Sequence, residues 1–147
     1  MEEWICPNVQ EWAENIETLG RVLVRYPQTA YARLATSLNA EWQYLMHTVP
    51  GVIEYMGPME KALANNFMPK LLGLDSISGR LRKLMEIGYN RAGLGIMNTI
   101  EMKDEIHRTS LVCSERLVDS LIIGEDLFTP EHRYCVRRSI RYRQEIK

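Results

Sequence analysis

Arg133, Arg137 and Arg141 recur every fourth residue near the end of the chain, with Arg138 beside them. On an α-helix that spacing gathers the guanidinium groups into one stripe. Tyr134 and Tyr142 interleave, Arg143 and Lys147 follow, and Glu131 and Glu145 are the only acids in the segment. A stripe of this kind can neutralise successive phosphates, and a neighbouring tyrosine can stack on an unpaired base. RNA or DNA is therefore the expected partner, held through Arg133, Arg137, Arg138, Arg141, Arg143 and Tyr134. The same pattern also describes a solvated helix face whose arginines sit near the negative end of the helix dipole. Arg80, Arg82 and Lys83 make a second, smaller cluster, expected to face outward.

Other residue types that carry chemistry are scattered. Two-metal phosphoryl transfer needs carboxylates held close together, whereas Asp75, Asp104, Asp119 and Asp126 include no adjacent pair. His107 and Cys113 lie nearly opposite in helical phase. His132 and Cys135 share a face but lack a second pair at zinc-ligand spacing. Ser110 and Ser114 lie near His107 on a stripe of small residues suited to helix packing, and no G-x-S-x-G elbow is present. The Gly93-Leu94-Gly95 turn has neither the Gly-Lys-Ser/Thr of a P-loop nor the preceding strand of a dinucleotide fingerprint. The sequence thus points to no catalytic residue, no metal and no cofactor.

Bulk properties narrow the class. The formal net charge is −1, so any affinity for polyanions has to come from a local patch. The three cysteines, Cys6, Cys113 and Cys135, are widely spaced and read as reduced thiols of an intracellular protein, cytoplasmic or nuclear. Glu2 and Glu3 stand where a secretory leader would be basic. No apolar run approaches the ~20 residues of a membrane span, so no membrane partner is expected.

The elements that must position these residues are helical throughout. Val9, Trp12, Ile16, Leu19, Leu23 and Tyr26 fall three and four apart, which predicts a first helix over about 8–26. Pro27 opens the next, and Tyr31, Leu34, Leu38, Trp42, Leu45 and Val49 continue the spacing over about 28–49, so the two form an antiparallel hairpin. Val52–Met56 reads as a single turn. Pro58 opens a third helix with Met59, Leu63 and Phe67 inward; Pro69 kinks or ends it, and Gly73 is its cap. Ile77, Leu81, Leu84 and Met85 suggest a short fourth helix, and residues 88–95 a loop. Asn98 or Thr99 is placed to cap a long helix near 99–123, with Ile106, Ser110, Cys113, Leu117 and Leu121 as its stripe. Thr129-Pro130-Glu131 starts a last helix that runs to the end at Lys147. The expected architecture is all-α: one domain over residues 1–147, a compact bundle of five or six helices. It reads either as complete or as a fragment of a larger protein.

Pro27-Gln28-Thr29-Ala30-Tyr31-Ala32, Glu41-Trp42-Gln43-Tyr44-Leu45, Val49-Pro50, Gly57-Pro58-Met59-Glu60 and Phe67-Met68-Pro69 carry a likeness, densest between Tyr26 and Gly73. Arg91 with Gly93-Leu94-Gly95-Ile96, and the pattern from Ser110 to Arg137, extend it to roughly Trp12–Arg138. These segments resemble the region beyond the polymerase core in reverse-transcriptase open reading frames of eukaryotic retroelements. The tandem aspartates of such polymerases are absent, so the resemblance implies a non-catalytic, thumb- or connection-like piece that grips a duplex by its backbone. The alternative is a helical interaction or dimerisation module whose apolar surface packed against the missing polymerase domains.

Overall fold

The computed structural model describes residues 2–101, 105–124 and 126–145, and among them the chain is all-α, with six helices and no strand. Helix α1 is Glu2–Leu23. Helix α2 begins as Pro27–Arg33, passes through a π-helical turn at Leu34–Leu38 and resumes as Asn39–Thr48. Helix α3 has the same build: Gly57–Ala62, a π-helical turn at Leu63–Phe67, then Met68–Leu72. Helices α4 (Gly79–Glu86), α5 (Glu105–Ile123) and α6 (Thr129–Glu145) follow. The expected bundle of five or six helices is what the chain forms.

The core lies where α1, α2 and α3 meet. Val9, Trp12, Ile16 and Leu23 of α1 are buried, as their spacing requires. Leu34, Leu38, Trp42 and Leu45 of α2, and Met59, Leu63 and Phe67 of α3, close the same core. Each large apolar side chain removed from water contributes about 1.5–3 kcal/mol. The Trp12 and Trp42 indoles meet edge to face at 6.4 Å, a favoured aromatic arrangement. Asn66 of α3 lies against Gly20 of α1, where an added Cβ would collide with its side-chain oxygen. A close approach of α1 and α3 accounts for that glycine.

Several boundaries differ from expectation, for local reasons. The first helix starts at Glu2, not near residue 8, and contains Pro7. Ile5, fully buried, belongs to its apolar stripe, and the Asn8 side chain donates to the Trp4 carbonyl at 2.6 Å. That helix ends at Leu23, so Tyr26 lies beyond it, half exposed, with the Arg25 guanidinium over its ring. Pro69 does not end α3. The π-helical turn before it widens the backbone where a proline ring would otherwise meet a preceding carbonyl. The helix closes four residues later at Gly73, whose left-handed conformation (φ 66) lets Leu74 N–H reach the Pro69 carbonyl at 2.9 Å. The long helix is described from Glu105, not from residue 99. Asn98 caps a turn instead, its Oδ1 accepting from the N–H groups of Ile100 and Glu101.

The largest departure concerns α5. Ile106 is fully buried, and His107 Nδ1 lies 3.2 Å from the His47 carbonyl at the end of α2. Further along, the expected inward stripe is not covered. Leu117 and Leu121 are exposed, as are Leu111, Val118 and Ile122. Helix α5 packs on the end of α2 and on α6. The stripe therefore leaves the core after its first turns and runs on over open surface.

Candidate nucleic-acid interface

Helix α6 is positioned by α5. Half-buried His132, Cys135, Val136 and Ser139 recur three and four apart and form the face toward α5. Glu131 pairs with Arg116 of α5 at 2.5 Å, an exposed contact at the start of α6. The Glu131 carboxylate, hydrogen-bonded to it, holds Arg116 above the ordinary arginine range. Pro130 suits the first turn, but the Thr129 hydroxyl turns back to the Leu127 carbonyl at 3.4 Å instead of capping the helix.

With that face committed, the arginine stripe points to water. Arg133, Arg137, Arg138 and Arg141 are all exposed, and Tyr134 beside them is 64% exposed. Among the described residues none of the four arginines forms an ion pair. Arg143, also expected to contribute, lies outside the residues whose side chains are described, as does Tyr142.

The smaller basic cluster divides. Arg80 and Lys83 are exposed, but Arg82, expected outward, is 7% exposed. Its Nε and Nη2 donate to the two carboxylate oxygens of Glu60, 8% exposed, at 2.8 and 3.0 Å. Nη1 and Nη2 also donate to the carbonyls of Ile96 and Met97, at 2.9 and 3.1 Å. Nη1 lies 3.5 Å from Glu86. A planar fork with several donors matches this set of acceptors as no ammonium could. Arg82 thus ties α4 and the loop before α5 to α3, and is not available to a ligand.

The glycine turn has a structural place as well. An added Cβ at Gly93 would overlap the Ile87 carbonyl. Gly95 N–H and Ile96 N–H donate to Ile87 and Met85, both at 2.9 Å. The Tyr31 hydroxyl donates to the Leu94 carbonyl at 2.6 Å. Burial, then the hydrogen bond and charge of the adjacent Tyr89 hydroxyl, push the Tyr31 phenol well above its ordinary pKa. These contacts pin the turn to α2 and α4, and a phosphate cradle is not needed to explain them.

The remaining constellations are dispersed or locally satisfied. The Ser114 hydroxyl donates to the carbonyls of Ser110 and Leu111 in its own helix. Among the described residues no three His, Cys, Asp or Glu side chains are grouped to hold a metal ion. Cys6, Cys113 and Cys135 are unbridged. No described helix is long and apolar enough to cross a membrane. In the comparisons with known proteins, no family model, curated protein or solved structure matches this chain.

Proposed function

We propose that this chain is a non-catalytic, retroelement-derived helical domain that binds the nucleic-acid backbone through α6. The observation that carries the reading is the exposed stripe of Arg133, Arg137, Arg138 and Arg141, which forms no ion pair among the described residues, with Tyr134 beside it. The outward face of α6 is free to lie along a phosphate backbone because a separate set of residues holds the helix to α5. The resemblance to the region after a reverse-transcriptase palm supports the same role, since that region grips the template–primer duplex.

Fluorescence anisotropy across a salt series tests this. Four phosphate contacts predict a log–log slope of about −3 to −4 on duplex DNA. Changing the four arginines to glutamine flattens that slope and removes most of the affinity. Binding that survives both changes contradicts the proposal.

A second reading rests on a different surface. Leu111, Leu117, Val118, Leu121 and Ile122 form an exposed apolar band on α5, wider than scattered surface hydrophobes account for. As an interaction or dimerisation module, the chain would cover this band with a second copy or a polymerase-like domain. Salt-tolerant self-association, with no nucleic-acid binding, is its signature.

A further inference from the structure

Away from α6, the open end of the α1/α2 hairpin forms a cleft of about 540 Å³. The two helices lie close near their link and are held apart at this end by the indoles of Trp12 and Trp42. Trp12 forms the floor and is 7% exposed; Trp4 and Tyr44, 57% and 68% exposed, stand on opposite helices at the edge. Two carboxylates, Glu11 and Glu41, complete the lining, and no lysine or arginine takes part in it. Glu41 is oriented, because its Oε2 accepts from Trp12 Nε1 at 3.2 Å. The Asn8 side chain is committed to the Trp4 carbonyl and fixes the first turns of α1.

Each feature selects for the same ligand chemistry. Aromatic faces attract cations and bind the less hydrated ones best, because little hydration is lost on contact. Two carboxylates without a lining cation leave negative charge to be neutralised. An aromatic floor and walls accept an alkyl stem. We propose that this cleft binds the alkylammonium side chain of a partner peptide, a lysine and preferentially an N-methylated one. Glu11 and Glu41 would repel an anionic lipid surface, so a basic peptide is the favoured occupant. The site is remote from the arginine stripe in sequence and opposite to it in charge, so its test does not depend on nucleic-acid binding.

The indole N–H resonances of Trp4 and Trp12 report directly on the cleft. The full chain would be titrated with the N-acetyl methylamides of trimethyllysine, lysine and norleucine, the last being neutral. The expected result is saturable movement of both resonances, with trimethyllysine tightest and norleucine weaker than trimethyllysine by about two- to fivefold or more. Tyr44→Leu and Trp4→Leu, both at exposed positions, should abolish the preference. Glu41→Gln keeps an acceptor for Trp12 and should weaken the cations while leaving norleucine unchanged. Equal binding of all three ligands, or no saturable movement up to tens of millimolar, overturns the proposal. Sedimentation with phosphatidylcholine vesicles should leave the protein in solution; co-sedimentation would replace the peptide with a choline headgroup and overturn the assignment.

Discussion

At the residue scale, the Glu60–Arg82 pair shows why an arginine cannot be placed from charge alone. Its position in a basic run suggested an outward face, yet its guanidinium meets a carboxylate and two carbonyls from separate parts of the chain. No local pattern in the sequence announces a partner 22 residues away. Removing one member of a buried pair strands the other charge. Glu60→Gln should therefore cost about 3 kcal/mol, lowering Tm by roughly 6–12 °C in a chain of this size. A loss no greater than that of an exposed Glu→Gln change would contradict the role given to the pair. Gly93→Ala should cost about 1–3 kcal/mol by denaturant melt, since its methyl group would meet backbone that cannot swing away. Tyr31 adds a pH dependence. Its folded pKa is raised, so the unfolded chain gives up this proton first. Stability is then unaffected below about pH 10 and falls as pH rises beyond it. Tyr31→Phe should flatten that alkaline decline in a pH series of urea melts.

At the element scale, helices were legible wherever apolar residues kept a three–four spacing against a core. The stripes of the first three helices are buried largely as their periodicity requires. Boundaries were less legible because two prolines sit inside helices. Pro7 lies within α1, and Pro69 is accommodated by a π-helical turn that ordinary periodicity does not reveal. Helix α5 shows a different limit. Periodicity reports that a face is apolar; it cannot report what covers the face. Leu121→Asp and Ile122→Asp alter side chains 74% and 77% exposed, so each should change stability by no more than about 0.5 kcal/mol. In sedimentation velocity the same changes should abolish any salt-tolerant self-association. Ile106→Ala, at a fully buried site on the same helix, should by contrast cost about 2–5 kcal/mol. Comparable destabilisation by all three would mean that the band is covered within the chain.

At the scale of the molecule, three surfaces of distinct character are displayed around one core. An acidic aromatic cleft opens between α1 and α2, an apolar band runs along α5, and an arginine stripe runs along α6. The stripe was readable because charge and helical period coincide in one stretch. The cleft was not, because Trp4 and Tyr44 come together only when α1 starts earlier than Pro7 suggests and packs against α2. Net charge near zero conceals the polarity of this arrangement, since acidic and basic regions cancel in the total. The central claim is that α6 is the nucleic-acid-binding element. Backbone chemical-shift mapping on addition of an RNA–DNA hybrid at low salt tests it most directly. The account predicts shifts concentrated at Arg133, Tyr134, Arg137, Arg138 and Arg141, reversed by added salt, with the α1–α3 core unmoved. Shifts centred on any other surface, or none at low salt in a folded protein, would contradict it.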